Sequence, residues 1–162
     1  MRARVTPRAE PGGPVDPLAA VAERLAAVAE ADGAREVCGL VVARSGRAEG
    51  APVSGRLEVW PMPNGAADPA RGYLIPPEAL LRAMTRLDEE GLGLVAVYHS
   101  HPRGGATLST SDLEVALAGG EPVLPGVAQI VVALEEGRAV RVRAHRFLDG
   151  RFDGADLWSA TR

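Results

Sequence analysis

The chain has 162 residues, 46% hydrophobic and 24% charged, with a formal net charge of −3. That length suits one domain with a real core, and no window reaches the roughly eighteen consecutive apolar residues that a membrane span needs. The acidic balance leaves no basic footprint for nucleic acid, and a single cysteine, Cys38, excludes an internal disulfide and any cysteine-only metal site, in keeping with a reducing cytoplasm.

Residues 1–14, basic and rich in proline and glycine but without the apolar run of a secretory signal, read as a loose arm before a domain at 15–162. "VDPLAAVAERLAAVAEADG" spaces Leu18, Val21, Leu25 and Val28 at helical intervals. Asp16 is placed to cap that helix, Pro17 to occupy its first turn and Gly33 to stop it. "EVCGLVVAR" is an apolar run of strand length without alternation, which predicts burial on both faces, with Glu36 at its start. Further strands are expected at Arg56–Trp60 and, after the loop "PMPNGAADPARG", briefly at Tyr73–Ile75.

"PPEALLRAMTRLDEEG" predicts a helix with Leu80, Met84 and Leu87 on one face and Gly91 closing it. "LGLVAVYHSH" predicts a buried strand that delivers His99 and His101 to its far end, and a third helix starts after Ser109. "GVAQIVVAL" and "RAVRVRAHRF" complete the strands. The second is expected to alternate Val140, Val142 and Ala144 inward with Arg141, Arg143 and His145 on an outward polar face, where His145 needs no role. Helices interleaved with strands indicate an α/β domain with a mixed sheet flanked by helices.

Side chains two apart on a strand share a face, so His99 and His101 can aim two imidazoles at one point. Asp112 follows at short range in "SHPRGGATLSTSD", where Pro102 and two glycines turn the chain back towards the strand end. Two histidines and a carboxylate leave a tetrahedral zinc with one open position, the pattern of a catalytic site. Ser109 followed by Asp112 also reads as a capping box that needs no chemistry, and the two roles coexist, because a cap fixes the backbone presenting Asp112. Taken alone, Glu36 reads as an ordinary glutamate at a strand edge, and Cys38 as a small packing residue.

"HSHPRGGATLSTSD" resembles the signature of JAMM (MPN+) metalloproteases: His-X-His-Pro, a short spacer, then Ser-X-X-Asp. "EVCGL" matches the upstream glutamate strand of that family, and the likeness continues through "PNGAADPARGYLIPPEALL" to "RAHRFLDGRF", covering Leu18 to Phe152. The resemblance implies a cytidine-deaminase-like α/β fold of the compact prokaryotic type. It also implies one zinc per chain on His99, His101 and Asp112, with Glu36 as general base and Ser109 stabilising the tetrahedral intermediate. It further implies hydrolysis of peptide or isopeptide bonds, with a ubiquitin-like or sulfur-carrier protein ending in Gly-Gly as the partner.

Two other readings of such a domain are a non-catalytic MPN scaffold and a RadC-like domain linked to DNA repair. The complete set of Glu36, His99, His101, Ser109 and Asp112 opposes the first. The lack of a helix-hairpin-helix module before the metal motif opposes the second.

Overall fold

In the computed structural model, which describes residues 15–44 and 55–161, Asp16 caps the first helical segment by accepting from the Leu18 N–H at 3.0 Å. The expected arm, residues 1–14, lies outside the described residues. The first helix is split: a 3-10 turn at Pro17–Val21 leads into α1 (Ala22–Ala31), which ends at Asp32, just before Gly33. Leu18, Val21 and Leu25 are buried and Val28 is half-buried, as the helical spacing requires.

β1 (Cys38–Ala43) is buried along its whole length, and β2 (Leu57–Met62) pairs with it. The short strand expected at Tyr73–Ile75 does not form. Leu74 makes two isolated bonds, its N–H to Asn64 Oδ1 at 3.1 Å and its carbonyl to the Gly65 N–H at 2.7 Å. Pro76 and Pro77 then end any ladder, because neither offers an N–H. α2 (Pro77–Glu90) closes on Gly91 in the left-handed region, φ 64°, and packs Leu87 with the half-buried Leu80 and Met84 against the sheet.

β3 (Gly93–His101) runs up to the histidine pair, and α3 (Thr110–Ala116) follows the turn. A two-residue hairpin, β4 (Leu117–Ala118) with β5 (Glu121–Pro122), precedes β6 (Ala128–Glu135), β7 (Arg138–Leu148) and β8 (Arg151–Ser159). Neither that hairpin nor β8 is predicted from the sequence. The six long strands form one sheet in the order β2-β1-β3-β6-β7-β8, with β3 and β6 parallel and the other neighbours antiparallel. The sheet is therefore mixed, as composition and element order indicate.

The pleat divides the core into two sides. Tyr98 and Ala96 of β3, Ile130 and Val132 of β6, and Val142 and Ala144 of β7 pack with α1. Val97 faces α2 on the other side, and His99 and His101 follow it on that same face by the two-residue period. Among the described residues, no helix is long and apolar enough to cross a membrane.

Candidate metal centre

His99 and His101 end β3 with their Nε2 atoms 3.0 Å apart, and Asp112 Oδ2 lies 3.2 Å from each. All three side chains are buried. Three electron-pair donors about 3.1 Å apart nearly match the edge of about 3.3 Å of a tetrahedron whose centre lies about 2.0 Å from each corner, the bond length of zinc to imidazole or carboxylate. The donor set and its spacing thus fit a small tetrahedral cation.

Asp112 reaches this point because it occupies the third position of α3. Ser109 Oγ accepts from the Asp112 N–H at 3.1 Å, and Asp112 Oδ2 accepts from the Ser109 N–H at 2.7 Å. The capping box is present, and it shares one oxygen, Asp112 Oδ2, with the three-atom cluster, so the cap leaves that oxygen within reach of a cation. Ser109 itself stands exposed at the helix start. Burial pushes the Asp112 carboxyl up, but hydrogen bonds with His101 and His99 and from the Ser109 N–H outweigh it and hold the group well below the carboxylate range.

The Nδ1 of His101 lies 2.8 Å from the Gly105 carbonyl. A carbonyl only accepts, so Nδ1 carries a proton, and a cation bound in place of the second proton would meet the lone pair of Nε2. His99 is fully enclosed, and burial draws its pKa below the ordinary histidine value. For His101 burial acts the same way, but Asp112 and the Gly105 carbonyl reverse it and raise the pKa.

Glu36 stands at the entrance of β1, 7% exposed. The register pairs Cys38 with His99, and the ladder extends one step by Ser100 N–H to Val37 O and Val37 N–H to Ser100 Oγ, both at 2.9 Å. That alignment sets Glu36 beside His101. Burial pushes its carboxyl up to about 7, with His101 opposing and Asp112 adding to the rise. Its Oε2 is buried without a hydrogen-bond partner among the described residues.

Residues 18–145 match the family described as prokaryotic homologs of the JAB domain. The chain belongs to that family. A relative from Thermus thermophilus, a probable TtuB-protein conjugate cleaving protease, is 47% identical over 66 residues, which are 39% of this chain and 45% of that protein. The chain thus matches less than half the length of that curated relative. Two solved structures share the fold at 22% identity. One, from Desulfitobacterium hafniense, has a TM-score of 0.61 over 82% of this chain and 84% of its own. The other, from Salinibacter ruber, has a TM-score of 0.52 over 85% and 88%.

Three side chains of this JAB domain have roles that sequence reasoning missed. His145 is not on an open polar face: it is 5% exposed, and its Nε2 lies 2.8 Å from the Ala106 carbonyl. The alternation assigns the right side of the sheet, but the turn after His101 folds over that side and covers it. Tyr73 stacks on His99, with ring centroids 4.3 Å apart and planes 19° apart. Asn64 bonds to the carbonyls of Glu36 and Gly72 and to the N–H groups of Ala66 and Leu74. An asparagine followed by glycine in a turn-rich stretch marks a bend, and its loop is part of the family likeness, but neither signal gives the bonds it makes. Cys38 is buried, and burial, with Glu36 adding, pushes its thiol up to about 12, in keeping with a packing role.

Proposed function

We propose that this JAB domain is a cytoplasmic, zinc-dependent hydrolase that cleaves peptide or isopeptide bonds following the C-terminal Gly-Gly of a ubiquitin-like or sulfur-carrier protein. The observation that carries the proposal is the convergence of His99 Nε2, His101 Nε2 and Asp112 Oδ2 beside Glu36, whose buried Oε2 has no hydrogen-bond partner among the described residues. His99, His101 and Asp112 would hold one zinc, which when bound supplies a Lewis acid and lowers the pKa of water.

Glu36 brings to this enclosure a buried oxygen without a hydrogen-bond partner among the described residues, so it accepts the proton of the attacking water and returns it to the leaving amine. Asp112 stays ionised throughout, because the histidines and the Ser109 N–H favour its charged form. The Gly105 carbonyl holds His101 in the tautomer that keeps Nε2 available. Ser109, exposed at the edge of the site, offers its hydroxyl to the developing oxyanion.

The substrate class is supported by the name of the Thermus relative, and by the sheet edge. β2 is an outer strand, and an extended tail can add to such an edge by main-chain pairing. Glycines suit that path, because they let the tail backbone approach where a Cβ would collide.

The test supplies zinc-loaded and chelator-stripped protein with a carrier extended past Gly-Gly by one residue, and with the same carrier joined to a lysine side chain, reading products by mass spectrometry. Cleavage after the second glycine by the loaded form, lost in Glu36→Gln, is expected. No cleavage of either substrate, or full activity of Glu36→Gln, overturns the proposal.

A further inference from the structure

A metal-bound histidine is ordinarily oriented through its second ring nitrogen, which donates to a carbonyl or carboxylate. His101 follows that rule through Gly105. His99 does not: its Nδ1 is buried and has no hydrogen-bond partner among the described residues. Something else must stop this imidazole from turning about its Cβ–Cγ bond. Two rings lie against it: the face of Tyr73, at 4.3 Å and 19°, and the ring of His101, edge-on at 4.8 Å and 61°. A flat ring on one side and an edge beside it remove the rotation that a hydrogen bond from Nδ1 would remove.

Tyr73 is itself held. It lies between Gly72, whose carbonyl accepts from Asn64 Nδ2 at 3.0 Å, and Leu74, whose N–H donates to Asn64 Oδ1 at 3.1 Å. The same amide donates to the Glu36 carbonyl at 2.8 Å and accepts from the Ala66 N–H at 2.9 Å. One side chain therefore fixes both the backbone that carries Glu36 and the segment that carries the stacked ring.

We propose that Tyr73, anchored by Asn64, is the positioning residue for His99, doing by ring stacking what the Gly105 carbonyl does for His101. The proposal rests on the zinc-site reading above, and it assigns to the tyrosine ring, rather than to its hydroxyl, the task of holding Nε2 towards the cluster. Tyr73→Phe keeps the ring and should keep the function. Tyr73→Leu keeps apolar bulk without a flat face and should not.

The experiment has two arms. Zinc affinity of wild type, Tyr73→Phe and Tyr73→Leu is measured by competition with a chromophoric chelator, beside urea unfolding of each metal-free form. Tyr73→Leu is expected to weaken zinc binding about 10–100-fold, the usual effect of losing an orienting partner, while Tyr73→Phe stays within about 3-fold. Equal affinity for the Leu and Phe variants overturns the proposal.

In the second arm, proton NMR of metal-free wild type reads the His99 ring protons, which a ring stacked at this distance shifts upfield. Unshifted His99 resonances overturn the positioning role without any variant having to fold. If wild type binds no zinc while its His99 protons are shifted, the zinc reading fails and the stacking stands.

Discussion

Replacing Glu36 by glutamine should favour the metal-free fold more at about pH 8 than at about pH 5. The unfolded carboxyl titrates near its ordinary value of 4.5, whereas burial raises the folded one to about 7. Between those values the folded state binds more protons, so stability falls as pH rises through the window and the loss is complete above about pH 8. A difference of about 2.5 pH units corresponds to about 3 kcal/mol, an upper figure for one buried acid. The glutamine amide has its own desolvation cost, but that cost is independent of pH and cancels when the two pH values are compared. The attraction to His101 and the repulsion from Asp112 are already contained in the folded pKa. Urea unfolding of chelator-stripped wild type and Glu36→Gln at both pH values measures the effect. A stability difference that is the same at both, within about 0.5 kcal/mol, would show that the Glu36 carboxyl is not held in a desolvated pocket. A carboxylate poised to take a proton at neutral pH would thus cost the fold stability at the pH where it works.

Wild type should carry about one zinc per chain by elemental analysis after dialysis, and His101→Ala should retain far less, since one of three protein donors is lost. Ser109→Ala removes the acceptor for the Asp112 N–H and should destabilise by about 0.5–2 kcal/mol in urea unfolding, while steady-state turnover slows by about 10–1,000-fold. His145→Ala leaves the buried Ala106 carbonyl without its donor and should cost about 1–3 kcal/mol, measured the same way. Gly39→Ala should destabilise by about 1–3 kcal/mol or more, because a Cβ there meets the Trp60 carbonyl and the Tyr98 ring inside van der Waals contact; wild-type stability would refute that packing.

What the sequence discloses is what local periodicity and short spacing encode. β1 and β3 are legible because both are apolar runs of strand length, α2 because its apolar residues recur at helical intervals, and the start of α3 because Ser109 and Asp112 cap it. β8 is illegible as a strand because Asp153, Gly154 and Asp156 break any apolar pattern, which an outermost strand tolerates. Its turn was nevertheless written in Asp149–Gly150, both at positive φ, the pair that a two-residue hairpin favours. The alternation of β7 also fails locally. The ladder shifts between Ala133 and Leu134, so Ala139 joins the α1 side with Val142 while Val140 packs against Val131 and Ala133 on the other. His145 and Tyr73 needed tertiary knowledge: which loop covers a face and which ring lies on another are not properties of a strand's own period.

The meeting of Glu36 with a histidine pair more than sixty residues away depends on one register, and a slip of one residue would carry Glu36 to the opposite side of the sheet. Three features pin it. β1 is buried on both faces among packed neighbours, so a slip would bring side chains of different size into each position. Gly39 lies opposite Tyr98, and the space a Cβ would need is occupied by the tyrosine ring and by the Trp60 carbonyl of the other neighbouring strand. Ser100, between the two histidines, takes the Val37 N–H on its hydroxyl and gives its own N–H to the Val37 carbonyl, fastening the residue next to Glu36 to the one between His99 and His101. The glycine of "EVCGL" and the serine of "HSH" therefore touch no substrate in this scheme, yet they determine that the carboxylate and the imidazoles arrive on one face. The two short motifs are one structural unit, split in the chain and rejoined by an antiparallel pair.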